Sequence, residues 1–140
     1  MAFRLIVLGV LLTIAAYTDL QRRQIPNPLV CLGLIVSMLL CLSSFVQGKP
    51  NQMYSSIMAG GFAFVLHLIP YLCGTMGAGD VKLALVVGLL LGWQEWLAYL
   101  GVFCVVSLLL VLFLLCLGKR KPASLPLAPL MAVAFWLNCL

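Results

Sequence analysis

The chain has 140 residues, 65% of them hydrophobic and only 8% charged, and its mean hydropathy is +1.23. A soluble domain of this size leaves too much surface exposed to hide so much apolar matter, so the composition argues for a polytopic helical membrane protein. The net charge of +5 sits in short loops, where it orients a membrane protein rather than marking a nucleic-acid surface. The apolar runs are continuous rather than alternating, which argues against a membrane β-barrel.

The predicted fold is all-α, one integral-membrane domain over residues 1–140 with about six transmembrane helices. The first runs from Phe3 to Thr18 and ends at Asp19. Met1-Ala2-Phe3-Arg4 and Ala15-Ala16 have the marks of a signal peptide. The length of the apolar run, and Arg22 and Arg23 just beyond it, favour a retained helix. A polar loop, Asp19 to Asn27, leads to helix 2 near Pro28, where proline suits a first turn. Helix 2 ends near Val46, and the loop from Gln47 to Tyr54 precedes helix 3, Ser55 to Cys73. Helix 4, Asp80 to Gly92, is short for a hydrocarbon core of about 30 Å. Trp93, Trp96 and Tyr99 then suggest an interfacial aromatic belt, with Glu95 in a solvated loop among them. Helix 5 runs from Trp96 to Leu117 and helix 6 from Leu125 to Leu140.

Connections one, three and five carry Arg22, Arg23, Lys82, Lys119, Arg120 and Lys121, against Arg4 and Lys49 on the other side. This bias places the loops with Asp19 and Asp80 in the cytoplasm and both termini on the non-cytoplasmic side. Parity supplies a second argument. Helices 2 and 3 form a hairpin between Asp19 and Asp80, so the two aspartates return to one face whatever the orientation. Asp80 lies about 13 residues, or about 20 Å, from Trp93. That depth is costly for a carboxylate and makes it a functional-site candidate.

Only three acidic residues occur in the chain. Two carboxylates held together away from water share a proton. One can then act as general base on a water while the other, protonated, polarises a carbonyl. Asp19 and Asp80 are therefore candidate catalytic residues. Gly77 and Gly79 beside Asp80 would allow unusual backbone angles and close substrate approach. The blander readings are a solvated helix end for Asp19, an N-cap for Asp80, and a topological marker or partner of Asp80 for Lys82. His67, the single histidine, suggests a structural hydrogen bond across helices; it has no triad partners. The six cysteines (Cys31, Cys41, Cys73, Cys104, Cys116 and Cys139) form no CxxC pair and read as small hydrophobes. No metal site and no cofactor is expected.

These residues resemble the prepilin peptidase family, membrane aspartic proteases with a GxGD motif, and most of all its small forms associated with tight-adherence pili. The resemblance rests on Asp19 with Ile25-Pro26-Asn27 after it, on Gly77-Ala78-Gly79-Asp80-Val81-Lys82, and on Leu125-Pro126-Leu127-Ala128-Pro129. It implies an enzyme of a bacterial inner membrane that removes the basic leader of type IV pilin-like precursors at the cytoplasmic face, after a glycine. It maps Asp19 and Asp80 onto the family's catalytic aspartates. Gly77, Gly79, Lys82, Arg22 and Arg23 become candidates for contact with the precursor. The cysteine-rich zinc segment of larger members is absent, so peptidase activity without N-methylation is expected. The alternatives are another GxGD protease, such as an archaeal preflagellin peptidase, a small transporter or channel subunit using Asp80 as a proton or ion site, and a structural assembly subunit.

Overall fold

The computed structural model describes residues 2–22, 25–74, 76–116 and 127–139. Among them are six helices and no strand: α1 (Ala2–Arg22), α2 (Asn27–Val46), α3 (Pro50–Leu72), α4 (Ala78–Leu91), α5 (Trp93–Cys116) and α6 (Leu127–Asn138). Four of them, α1, α2, α3 and α5, are long and apolar enough to cross a membrane. With 14 and 12 residues, α4 and α6 reach only about 21 and 18 Å, short of the hydrocarbon core. The number of helices thus agrees with expectation, while four rather than six have spanning length.

The reason α4 can be short lies in its place. It packs against α1, α2, α3 and α5, and the run from Val81 to Leu91 is buried except for Lys82 and the half-buried Leu85. A helix that is apolar all round belongs in an interior, and one walled by other helices need not match the bilayer thickness. Its closest neighbour is α3. A Cβ on Gly88 would lie 2.6 Å from the Ala59 carbonyl oxygen and 2.8 Å from the Gly60 Cα. Small residues on α3 (Ser56, Ala59, Gly60, Ala63) form the buried face that permits this approach. The outer face of the bundle is apolar, with Leu32, Ile35, Phe64, Leu108 and Phe113 exposed, as lipid contact requires.

Several boundaries differ from expectation. Helix α1 continues through Asp19 to Arg22. Helix α3 starts at Pro50, not Ser55, because proline fits a first helical turn. This leaves a turn of Gln47, Gly48 and Lys49, in which Gly48 has a φ of +71°. At the other tight corner Gly92, with φ +80°, joins α4 directly to α5. Glu95 is therefore in the first turn of α5, half-buried, and not in a loop. Trp96 and Tyr99 are buried in the core rather than forming a lipid-facing belt. The Trp93 ring meets Phe62 edge-on at 5.4 Å.

Candidate active site

The apolar face of α1 is written at helical spacing: Leu8, Leu11, Leu12, Ala15 and then Asp19, all buried. Asp19 extends the stripe that faces the bundle and is only 8% exposed, so it is not a solvated helix end. Asp80 reaches the same region from the first turn of α4. The two aspartates line one cavity of about 310 Å³ with Ile25, Asn27, Gly77, Ala78, Gly79 and Lys82. The hairpin α2–α3 between them returns the chain to the end of the bundle it left, as parity requires.

Asp80 is not the N-cap of α4. Gly77 holds that position, and Asp80 at N3 reaches back, its Oδ2 accepting the Gly77 N–H at 3.3 Å. That length is long for an N–H···O bond, so the tether is weak. Asp80 lies outside the four membrane-crossing helices. Burial and, after it, the Asp19 charge raise its carboxyl to about 6, against the Gly77 N–H, which lowers it. The like-charge effect follows from the geometry, since both carboxyls line the same cavity. The arrangement can hold a proton between two acids and, with a water, carry out acid–base chemistry without a metal. Among the described residues no group of three or more His, Cys, Asp or Glu side chains could hold a metal ion.

The two glycines serve space rather than torsion. Gly77 has φ −81° and ψ 148°, open to any residue, and Gly79 is helical. A Cβ on Gly79, however, would stand 3.1 Å from the Ile25 Cβ, and one on Gly77 would stand 3.3 Å from Asp80 Oδ2. Lys82 lines the cavity, exposed, and makes no ion pair with Asp80. Arg22 is exposed in the last turn of α1 and is not part of the cavity wall; Arg23 lies outside the described residues. Ile25 and Asn27 also line it, although neither carries an acid–base group. Their only sequence signal is the Ile25-Pro26-Asn27 run, where proline fixes the entry to α2. His67 is buried on the same face of α3 as Ala63 and does not line this cavity. Its Nδ1–H donates to the Ala63 carbonyl at 2.8 Å, within its own helix rather than across helices, and its ring lies 6.3 Å from Phe103.

Fold and cavity together define a polytopic helical membrane protein with two acids recessed at one end of the bundle. The sequence model of the type IV leader peptidase family matches residues 6–118, which include both aspartates. The chain belongs to that family and is a leader-peptidase-like protease. No curated protein and no solved structure matches it.

Proposed function

We propose that the protein is a membrane-embedded aspartic endopeptidase that removes the leader of type IV prepilin-like precursors, with Asp19 and Asp80 as its catalytic pair. The observation that supports this reading most is the cavity shared by the two aspartates, in which the charge of one raises the carboxyl of the other. At rest the pair holds one proton. The ionised carboxylate takes a proton from a water, and the water oxygen bonds to the scissile carbonyl carbon. The protonated partner gives its proton to the carbonyl oxygen. The tetrahedral intermediate, a gem-diol, then collapses: one of its hydroxyl protons returns to the carboxylate that protonated the carbonyl, the C–N bond breaks, and the carboxyl that took the water's proton delivers it to the leaving amine, restoring the one-proton pair. Gly77 and Gly79 line the cavity beside Asp80 as candidate contacts for the substrate backbone, and a Cβ on either would crowd Asp80 or Ile25.

Arg22 and Lys82 lie at the end of the bundle where the two aspartates meet, and Arg23 follows Arg22 in the sequence, a basic bias that supports a cytoplasmic active site in a bacterial inner membrane. They are candidate contacts for an acidic group on the precursor. The short connection before α2 and the lack of a CxxC motif favour peptidase action without N-methylation. Asp19→Asn and Asp80→Asn should each abolish precursor cleavage in membranes while the protein still accumulates and folds. Full cleavage by either variant would overturn the proposal. Offering pilin-like and preflagellin-like precursors in the same assay distinguishes the substrate class.

A further inference from the structure

A second cavity, of about 590 Å³, opens at the other end of the bundle, and its walls include Arg4, Tyr54, Ser55, Ser56, Trp93 and Glu95. Along α1, Arg4 lies about 22 Å from Asp19, so this space is remote from the aspartates. It sits where α2 ends and where α3 and α5 begin. In a bilayer that is the headgroup layer.

Two opposite charges line this cavity without neutralising each other. Arg4 donates from Nη1 to Ser56 Oγ at 3.1 Å and from Nη2 to the Leu40 carbonyl at 3.1 Å and Ser44 Oγ at 2.6 Å. All three acceptors are neutral, and the Nε–H and the second Nη1–H remain of the guanidinium's five donors. Among the described residues neither Arg4 nor Glu95 takes part in an ion pair. The contacts to α2 and α3 fix the guanidinium in place before any ligand arrives, which removes part of the ordering cost of binding.

We propose that this cavity binds the headgroup of a phosphoethanolamine lipid, its phosphate on Arg4 and its ammonium on Glu95. A zwitterion of that kind presents an anion and a cation a few bonds apart, the reverse of what the cavity wall offers. The arginine supplies charge-assisted donors to phosphate oxygens. The Glu95 carboxylate accepts from the ammonium N–H groups, and the indole of Trp93 adds a cation–π face. A phosphoglycerol headgroup has no cation for Glu95. A choline headgroup has a cation with no N–H to donate. At headgroup depth the lipid is also the zwitterion present at the highest local concentration.

The test uses the full chain, purified in detergent micelles doped equally with palmitoyl-oleoyl phosphatidylethanolamine, phosphatidylglycerol and phosphatidylcholine, with retained lipid counted by native mass spectrometry. The wild type should retain phosphatidylethanolamine at least tenfold over the other two. Glu95→Gln should bring it down to the level of phosphatidylcholine, and Arg4→Gln should release both phosphatidylethanolamine and phosphatidylglycerol. Because Arg4→Gln also breaks the contacts between α1, α2 and α3, the Glu95→Gln arm decides the matter if that variant does not fold. Equal retention of the three lipids by the wild type, or an unchanged preference in Glu95→Gln, overturns the proposal. So does displacement of the bound lipid by an equal concentration of soluble glycerophosphoethanolamine, which would make the ligand a soluble one.

Discussion

Replacing Asp80 by asparagine should move activity and stability in opposite directions. Its carboxyl is raised from 3.8 to about 6 by burial and by Asp19. That is roughly two units at about 1.4 kcal/mol each, an upper bound that solvent around the part-exposed carboxylate lowers, so ionised Asp80 weakens the fold at neutral pH by about 1–3 kcal/mol. The sign follows from proton binding. Between pH 4 and 6 the native state holds more protons at this site than the unfolded chain, so stability falls as pH rises through that window and stays lower above it. Asparagine carries no charge, and its side-chain oxygen can still accept the Gly77 N–H. Unfolding free energies of both proteins in mixed micelles, measured from pH 4 to pH 8, isolate the effect of the pair, because titrating groups away from Asp19 and Asp80 cancel in the difference. The two should converge toward the acid limit, separate between pH 4 and 6 and stay apart above it, the variant ahead by about 1–3 kcal/mol, while precursor cleavage is lost. A stability gap that does not grow with pH would refute the desolvated, like-charged setting of Asp80. Retained cleavage would refute its catalytic role.

Removing the like charge with Asp19→Asn should shift the titration of Asp80 to lower pH, measurable from its protonated-carboxyl infrared band; an unmoved band means the two acids are not coupled. The specificity constant for precursor cleavage should decline as pH rises well above 6, since the pair then loses the proton its acid member must donate. A flat alkaline limb would contradict the shared-proton mechanism. Gly88→Ala should destabilise the protein by about 1–3 kcal/mol, because its methyl group meets backbone of α3 at 2.6 to 2.8 Å and no side chain can swing away. Wild-type resistance to unfolding in that variant would mean α3 and α4 pack less closely than described.

Much of this was legible in the chain itself. Continuous apolar runs punctuated by proline, glycine and charge announce helices whose lengths suit a bilayer. The parity of the α2–α3 hairpin brings Asp19 and Asp80 to one end without any knowledge of packing. Which stripe of α1 is buried was not legible, since Ile6, Val10 and Ile14 are as apolar as Leu8, Leu12 and Ala15 and yet exposed, so packing alone puts Asp19 on the inner face. Other features could not be read this way. Helices α4 and α5 are apolar on every side, so periodicity names no inward face. Tertiary packing alone buries Trp96 and Tyr99 and encloses α4 while most of α5 faces outward.

Local composition was also silent on roles that depend on a neighbour. Glu95 reads as a loop acid until Gly92, at φ +80°, lets α5 begin at once and carries that carboxylate to the wall shared with Arg4. His67 has an acceptor four residues back in its own helix, a choice that competes with every cross-helix partner and is decided by what stands opposite. The glycines near Asp80 matter because Ile25, from a distant loop, lies against Gly79. By itself the sequence determined the helices, the membrane setting and the end of the bundle at which the two aspartates meet, because hydropathy, helical period and crossing parity are local or additive properties. Which groups share a cavity, and how far a carboxyl is raised within it, only the tertiary structure decided, because burial and charge coupling depend on atoms that the chain order does not bring together.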